Sequence, residues 1–398
     1  MSQSSEVSDP ALPDDGRAYG CTPGTWDPEL VEVGAGTKSG ELLRRYWHPI
    51  ARSSEATALP KEVRLLGEDL VLFRSLDGQP GLLTPRCCHR GTTLFFGRVE
   101  DQGVRCPYHG WLFAPDGQCL DQPCEPERGR NLHRYRQPWY PVVDYHGLVF
   151  AYMGPPDKQP VFPRYDIFEN LTDDEEIVVV DHFAFGGPVE APCNWFQTHE
   201  NAMDHYHVFI LHNAMSGPQF DPRLEKWPEV SWQRHPWGVS SAQDRQLDDG
   251  STLHRVTEVR MPTIRVIPTP TLTVLGKTNN MSWAVPIDDT HTKVYALVRK
   301  PKDRPPQGLP VYAGDKTWFE LSDEEHQRFP GDYETQVGQG PITLHSEERL
   351  SSSDRGVSLV RRQFKEQAQI VADGGDPVGV SFDPDAPPIE LFAGNYIQ

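Results

Sequence analysis

Cys87-Cys88-His89 and Cys106-Pro107-Tyr108-His109 decide how this chain is read. They spell C-x-H, sixteen intervening residues, then C-x-x-H. Two thiolates and two imidazoles in that order suit a [2Fe–2S] cluster in which one iron takes both sulfurs and the other takes both ring nitrogens. Exchanging two anionic thiolates for neutral imidazoles makes such a cluster less negative and raises its potential. Structural zinc is the competing reading, because it too takes two Cys and two His. Zinc sites usually pair like with like, a C-x-x-C with an H-x-x-x-H, whereas each short motif here supplies one residue of each kind. The mixed pairing favours the cluster.

The sequence on either side runs in short strands and turns over residues 46–154. Val63, Leu65, Leu70 and Leu72 alternate about a turn at Gly67-Glu68-Asp69, and Asp77-Gly78 and Asp116-Gly117 are hairpin signals. Residues 148–152, Leu-Val-Phe-Ala-Tyr, read as a closing strand ahead of Gly154-Pro155-Pro156. This is a small all-β domain with both Cys/His motifs on loops. Residues 155–163 read as a linker. Beyond it, residues 177–185, 294–298 and much of 252–275 read as strands. Residues 214–250, rich in Pro, Trp, Asp and Gln, and residues 301–310 read as irregular loops. The first is a candidate pocket wall. Trp227, Trp232 and Trp237 are candidates to line it, although loop aromatics more often serve packing. After Ser351-Ser352-Ser353, Val357, Val360, Phe364, Ala368 and Val371 recur at helical spacing, with serine as the N-cap and Gly374 and Pro377 as the stop.

A chain of 398 residues has room for two or three domains. Its formal net charge of −19 argues against nucleic acid and anionic membrane as partners, and means that an anionic substrate needs local Arg or Lys to hold it. No run approaches the roughly 18 apolar residues of a membrane span. Residues 1–16 are polar and acidic, with neither a basic nor an apolar signal region, so a loose arm is expected there. Seven Cys is an odd count, and four of them lie within 33 residues. That usage suggests a reducing, cytoplasmic setting.

A second constellation lies at Asp204-His205-Tyr206-His207-Val208-Phe209-Ile210-Leu211-His212, a D-x-x-H-x-x-x-x-H pattern. Two imidazoles and one carboxylate around non-haem Fe(II) leave coordination positions open for O2. His207 and His212 are the natural pair, with His199 and His205 as competitors. A spacing of five puts them on different faces of a regular α-helix, so the helix is predicted to bulge, break or end over residues 208–211, a π-turn being one solution. The alternative is an ordinary helix carrying surface or core histidines. Asp354, at a helix start, is the choice for the carboxylate; its alternative role is a helix-dipole acid worth roughly 0.3–1 kcal/mol.

Together these residues resemble the Rieske non-haem iron oxygenases, in particular the large (alpha) subunits of the phthalate-dioxygenase-like branch. The resemblance runs from Leu43-Arg44-Arg45-Tyr46-Trp47-His48-Pro49 through Cys106-Pro107-Tyr108-His109-Gly110-Trp111. It continues through Asn194-Trp195 and Glu200-Asn201 to Ser353-Asp354-Arg355-Gly356-Val357. It implies an α+β chain: an arm over 1–42, an all-β Rieske [2Fe–2S] domain over 43–156, and a helix-grip catalytic domain, an antiparallel sheet wrapped around helices, over 157–398. It implies that Cys87, His89, Cys106 and His109 hold the cluster and that His207, His212 and Asp354 hold a mononuclear Fe(II). It further implies that Asp204 bridges His109 of one subunit to His207 of the next in a head-to-tail homotrimer or a multiple of three. Asn201 would stand behind the iron or pack as a helix amide. Cys88 departs from the family, which usually has Pro there. Cys119 and Cys124 match no family role, and buried thiols account for them.

The implied activity is that of a terminal oxygenase, which uses O2 and reductase-supplied electrons to hydroxylate an organic, aromatic substrate. O- or N-demethylation is the alternative within the class, since it uses the same metals. A pure electron carrier and a zinc-stabilised binding module are the alternatives outside it, and the first would need only the first domain. No G-x-G-x-x-G is present, so NADH or NADPH is expected to act only through a separate flavin/iron–sulfur reductase, with or without a ferredoxin. No nucleic-acid or membrane partner is expected.

Overall fold

In the computed structural model, which describes residues 21–180, 187–217, 219–304, 312 and 315–398, Leu66 and Gly67 reverse the chain between strands Lys61–Leu65 and Glu68–Arg74. Both have positive φ, 50° and 77°. That is the backbone of a two-residue hairpin turn matched to strand twist. The turn falls one residue earlier than the sequence suggests, because Glu68 and Asp69 already pair with Leu65 and Arg64. Gly117 closes another predicted hairpin with φ 78°. A Cβ there would stand 2.0 Å from the Gln137 carbonyl oxygen, so the close approach itself requires glycine.

These reversals build two four-stranded sheets and one of three strands. The first joins Lys61–Leu65, Glu68–Arg74, Pro80–Leu83 and Trp139–Tyr140; the second joins Arg98–Glu100, Gly103–Arg105, Leu112–Phe113 and Cys119–Asp121. In the third, Leu148–Tyr152 lies between Trp47–Arg52 and Val142–Tyr145, and all its residues are buried. Both faces of that strand are covered, which is why it reads as a continuous apolar run rather than an alternation. Phe150 meets Trp283 edge-on at 5.4 Å between ring centroids, and nearby Tyr295 Oη donates to the Ile50 carbonyl at 2.6 Å. The tip of the first hairpin docks too: Leu66 and Gly67 N–H donate to the Pro286 and Ile287 carbonyls at 3.2 and 2.8 Å. One hydrophobic core therefore extends from this part of the chain into the next.

The later part is a ten-stranded antiparallel sheet. Its main path runs Glu175–Val180, His291–Pro301, Asn280–Asp288, Ile264–Val266, Thr252–Arg260, Gly238–Gln246 and Glu229–His235. Of the strand expected over 177–185 only the portion to 180 is among the described residues, as is only 301–304 of the loop expected over 301–310. Helix Arg355–Ala372 packs on the sheet through Val357, Val360, Phe364 and Ala368, the predicted helical stripe. Trp195 and Phe196, from the short helix Trp195–Glu200, each stand 5.3 Å from the Phe364 ring.

Two segments are more ordered than their sequence signals. From Pro28 onward, the expected arm is packed: helices Pro28–Val31 and Lys38–Leu43 place Leu30, Val31, Leu42 and Leu43 in the main core. Lys365 of the long helix pairs with Asp27. The loose arm expected over 1–16 lies outside the described residues. Residues 214–250 are not one irregular loop either, since they hold strands Glu229–His235 and Gly238–Gln246, turned at Pro236-Trp237. Alternation is present in the second strand, but its buried positions are Val239, Ser241, Gln243 and Arg245. A polar inward face leaves no hydrophobic period to detect.

Candidate metal centres

The two Cys/His motifs fold into loops of the same form. In each, the Cys carbonyl accepts from the N–H of a glycine four residues on, Gly91 N to Cys87 O at 2.8 Å and Gly110 N to Cys106 O at 3.1 Å. Both glycines have positive φ, 78° and 72°. The same turn thus accommodates C-x-H and C-x-x-H. Cys87 and Cys106 are each 3 % exposed and lie side by side in a small apolar core with Phe73, Trp111 and Phe113. His89 and His109 are partly exposed, with ring centroids 4.6 Å apart. His89 also stacks flat on Trp111 at 4.5 Å.

Sulfurs inward and imidazoles outward is the arrangement that a mixed-ligand [2Fe–2S] cluster requires. Burial, with Cys106 adjacent, pushes the Cys87 thiol pKa up to about 12, so a thiolate there calls for a cation beside it. Cys88 is exposed, whereas Cys87 shares the burial of Cys106, which favours Cys87 as the partner of Cys106. Cys119 is buried, but Cys124 is exposed, and its Sγ lies 3.4 Å from the His109 carbonyl. The expectation of two buried thiols therefore holds for Cys119 alone.

The first loop is pinned by Gln137, whose side chain is completely buried. Its Nε2 donates to the Thr84 and Arg86 carbonyls at 2.8 and 2.9 Å, and its Oε1 accepts from Cys88 N–H at 2.7 Å. Gln137→Leu leaves those groups unpaired and is expected to destabilise the folded holoprotein by about 3 kcal/mol, at roughly 1 kcal/mol per lost bond. The check is the thermal midpoint together with the rate at which visible absorption bleaches. A variant that matched the wild type in both would show that Gln137 does not hold the loop.

The second constellation begins at Asn194, whose Oδ1 caps helix Trp195–Glu200 by accepting from Phe196 N–H at 3.0 Å. The chain then extends at Asp204 and re-enters a helix, α over Tyr206–Phe209 and π over Ile210–Met215. The wider π turn carries His212 round to the side of His207, and their ring centroids lie 5.4 Å apart. The helix therefore changes form at the end of the predicted 208–211 window, and the change reaches on to Met215.

The carboxylate beside the two rings is Asp332. Its Oδ1 is 3.5 Å from His207 Nε2 and its Oδ2 is 3.5 Å from His212 Nε2, and its side chain is 5 % exposed. Among the described residues, His207, His212 and Asp332 form the group that could hold an ion. Ligand atoms about 2.1 Å from one ion, with a right angle or slightly more between them, stand roughly 3.0–3.5 Å apart. The donor set and its spacing fit mononuclear Fe(II). The tautomers fit as well. Asp204 Oδ2 lies 3.6 Å from His207 Nδ1 and Gln219 Oε1 lies 2.7 Å from His212 Nδ1. A proton on each Nδ1 would leave both Nε2 lone pairs to a bound ion. Burial alone would raise the Asp332 pKa, but His212, His207 and the Asn201 amide hold it well below the usual carboxylate range. Asn201 Nδ2 donates to Asp332 Oδ1 at 3.1 Å, so it stands behind the carboxylate.

Asp354, the carboxylate expected from the sequence, is elsewhere. It sits in the turn Ser352–Asp354 before the long helix, where its Oδ2 accepts from Ser351 N–H at 2.7 Å. It is a capping residue and not a member of the His207–His212 group, and this corrects the expectation. Asp332 also opens a helix, Asp332–Gly338. The kind of position was therefore anticipated and the helix was wrong. Pro330-Gly331 ahead of Asp332 is the one local signal of that helix start, and Glu334 beside it makes the pair look like ordinary dipole acids.

The competing histidines are both buried. Desolvation pulls the pKa of each to about 3, so each is neutral. His199 packs against Trp195 and Phe196, and His205 is held between Ser241 and Gln243. A 60 Å³ cavity adjoins the trio and is walled by Phe220, Leu224, Ile267, Gln243, Arg255 and Thr257 among others. None of the three tryptophans lines it. Trp227 is exposed beside Tyr206, Trp232 donates to the Met203 carbonyl, and Trp237 borders a separate 470 Å³ cavity.

Comparison with known proteins agrees with this geometry. Residues 46–141 match the Rieske [2Fe-2S] domain. The chain is 48 % identical to the phenoxybenzoate dioxygenase subunit alpha of Ectopseudomonas oleovorans, over 96 % of this chain and 94 % of that protein. It is 33 % identical to the 5,5'-dehydrodivanillate O-demethylase oxygenase subunit of a Sphingobium species, over 89 % and 82 %. Among solved structures, dicamba monooxygenase bound to dicamba is similar in fold, with a TM-score of 0.61 at 17 % identity, over 83 % of this chain and 99 % of that one.

Proposed function

This chain belongs to the family of Rieske oxygenase large subunits, and from that premise we propose the site residues, assembly and reaction type of a terminal oxygenase acting on an aromatic substrate. Its cofactors are a Rieske [2Fe–2S] cluster and a mononuclear non-haem iron. Bound here, the cluster supplies single electrons and the ferrous ion supplies open positions for O2. In this reading Cys87, Cys106, His89 and His109 hold the cluster, within a domain over 43–156. His207, His212 and Asp332 hold the iron, within a domain over 157–398 that the packed segment 28–42 braces.

The observation that carries the reading is the placement of Asp332, with each carboxylate oxygen 3.5 Å from one histidine Nε2. The remaining residues position and exclude. Gln219 fixes the His212 tautomer, Asp204 stands beside His207 Nδ1, Asn201 orients Asp332, and Phe220 and Ile267 supply the apolar part of the cavity wall. The rings next to His109 are His89 and Tyr108, both from the cluster loops. Asp204 keeps a third of its side chain exposed beside His207. Both facts leave room for His109 of a neighbouring copy to reach that exposed carboxylate in a head-to-tail trimer or a multiple of three, the assembly we propose from the family resemblance. Electrons would come from NADH or NADPH through a separate flavin/iron–sulfur reductase, with or without a ferredoxin. Among the described residues, no helix is long and apolar enough to cross a membrane.

The relative at 48 % identity is named a dioxygenase, and cis-dihydroxylation is therefore the first reading. O-demethylation is the second, on the name of the relative at 33 %. The test is to supply the protein, with both metals bound, with a reductase, NADH, oxygen-18 gas and a panel of aromatic acids and methyl ethers. Dihydroxylation places both labelled atoms in one product. Demethylation puts one labelled atom on the methyl carbon, which leaves as formaldehyde, and the other in water, so the phenol stays unlabelled. Neither label in any product nor release of formaldehyde, with the cluster reduced and iron bound, would defeat the oxygenase reading.

A further inference from the structure

Six arginines are buried among the described residues: Arg44, Arg45, Arg245, Arg255, Arg260 and Arg265. Three have a carboxylate in contact, Arg44 with Glu68, Arg45 with Asp376 and Arg260 with Glu258. Arg265 feels the nearby charge of Asp332. Arg245 and Arg255 have neither, in a chain that carries nineteen more acidic than basic charges. A buried cation normally has a counter-charge, because desolvating it alone is costly.

Arg255 lines the cavity beside His207, His212 and Asp332. Its guanidinium donates to neutral oxygens only: Asn395 Oδ1 at 2.7 Å, the Pro268 carbonyl at 2.5 Å and the Thr269 carbonyl at 3.3 Å. Those bonds use three of its five N–H donors and fix its plane. Arg245 is two residues along the same face of the neighbouring strand from Gln243, which pairs directly with Arg255. It donates to the Lys226 carbonyl and to Gln243 Oε1, and its Nη1 is buried with no partner. Thr257 lines the same cavity, is 1 % exposed, and its Oγ1 is also buried with no partner. Burial pulls the Arg255 pKa down to about 9 and that of Arg245 to about 10, which leaves both charged at neutral pH.

We infer that Arg255, with Thr257 beside it and Arg245 behind it, is the specificity-determining residue of this pocket, and that the aromatic substrate carries a carboxylate which these groups hold. The inference rests on the reading of the His207–His212–Asp332 cavity as the oxygenation site. A planar guanidinium suits a carboxylate in two-point contact, and the Thr257 hydroxyl donates to one of its oxygens. The carboxylate supplies the missing counter-charge. Its attachment to Arg255 sets which ring carbons face the metal trio, so these residues govern where the ring is oxidised as well as which ring enters.

The test uses the full-length protein with both metals bound and titrates, by calorimetry, benzoate, phthalate and 3-phenoxybenzoate against their carboxamides. At least one acid is expected to bind about 100-fold more tightly than its amide, because a site built for a charged hydrogen-bonding group rejects an analogue lacking it. Arg255→Gln should reduce that preference about tenfold or more, Arg255→Lys should restore part of it, and Thr257→Val should reduce it by about threefold to tenfold. Cluster absorption and iron content unchanged in each variant show that the fold is intact. Equal binding of acid and amide in every pair, or a preference that survives Arg255→Gln, overturns the inference. The titration decides it alone, whereas oxygen-18 transfer to product decides the reading of the site on which it rests, so the two failures are told apart.

Discussion

Asp332→Asn is expected to lose the mononuclear iron and at least about 100-fold of the oxygenase rate, more than the loss typical of groups one shell further from a metal. Asp354→Asn is expected to keep both. The substitution preserves shape, and Asn201 can still bond the amide oxygen, but the site loses its one anionic ligand. Two neutral imidazoles alone are a poor site for a hard, weakly held ion such as Fe(II). At Asp354, asparagine still offers an oxygen to Ser351 N–H, so the cap survives and stability changes by at most about 1 kcal/mol. Metal analysis, together with the visible spectrum of the cluster, measures both variants. The cluster should be intact in each, because its four candidate ligands lie on separate loops within the β-sheets of the first half. Iron retained in Asp332→Asn and lost in Asp354→Asn would restore the carboxylate that the sequence suggested.

Asp204→Asn is expected to retain both metals and to slow oxygenation by about 100-fold, at the upper end of what loss of such a hydrogen-bonded partner costs. Asp204 Oδ1 accepts from the N–H groups of Tyr206 and His207 at 3.2 and 3.4 Å. Its Oδ2 faces His207 Nδ1. Burial alone would raise its pKa, but its contacts with His207 outweigh this and keep it low, so it stays ionised. One carboxylate can accept N–H bonds on two sides at once, from His207 and from a histidine of another copy. An amide accepts on one side and donates on the other, and a donor opposite an N–H breaks the path. The discriminating measurement is the rate at which a pre-reduced cluster is reoxidised by O2 with substrate bound. A purely structural role would show as lost iron, not as slow reoxidation with iron in place. Turnover at the wild-type rate would end the idea that Asp204 carries the electron.

Much of this was legible in the chain because local rules govern it. A cluster loop needs its Cys and His at fixed short spacing, and glycine at the turn, so C-x-H and C-x-x-H announce themselves. The five-residue gap between His207 and His212 forecast a helix that bulges, breaks or ends, because no regular α-helix aligns that pair. What escaped were features whose signal is spread out or inverted. Gly238–Gln246 has a polar buried face, and so its alternation looked like loop composition. Residues 28–43 form two helices of only four and six residues, too short for periodicity, and packing alone fixes them.

Asp332 marks the division most clearly. Sequence alone determined the chemistry: a mixed-ligand cluster, a pair of imidazoles for a second metal, and the need for a carboxylate to complete it. It also pointed to a helix start, at Asp354, as a place from which a side chain can be aimed. Which acid stands beside the two imidazoles was decided by tertiary structure. Asp332 lies 120 residues beyond His212, and nothing local separates it from the other acids at helix N-termini. Chain folding brings one of them within 3.5 Å of both rings and leaves Asp354 bonded to Ser351 N–H in the turn before the long helix. The same holds for Arg255, which in sequence is one basic residue among 38. Only the sheet shows that it lies beside the metal trio with no carboxylate to balance it.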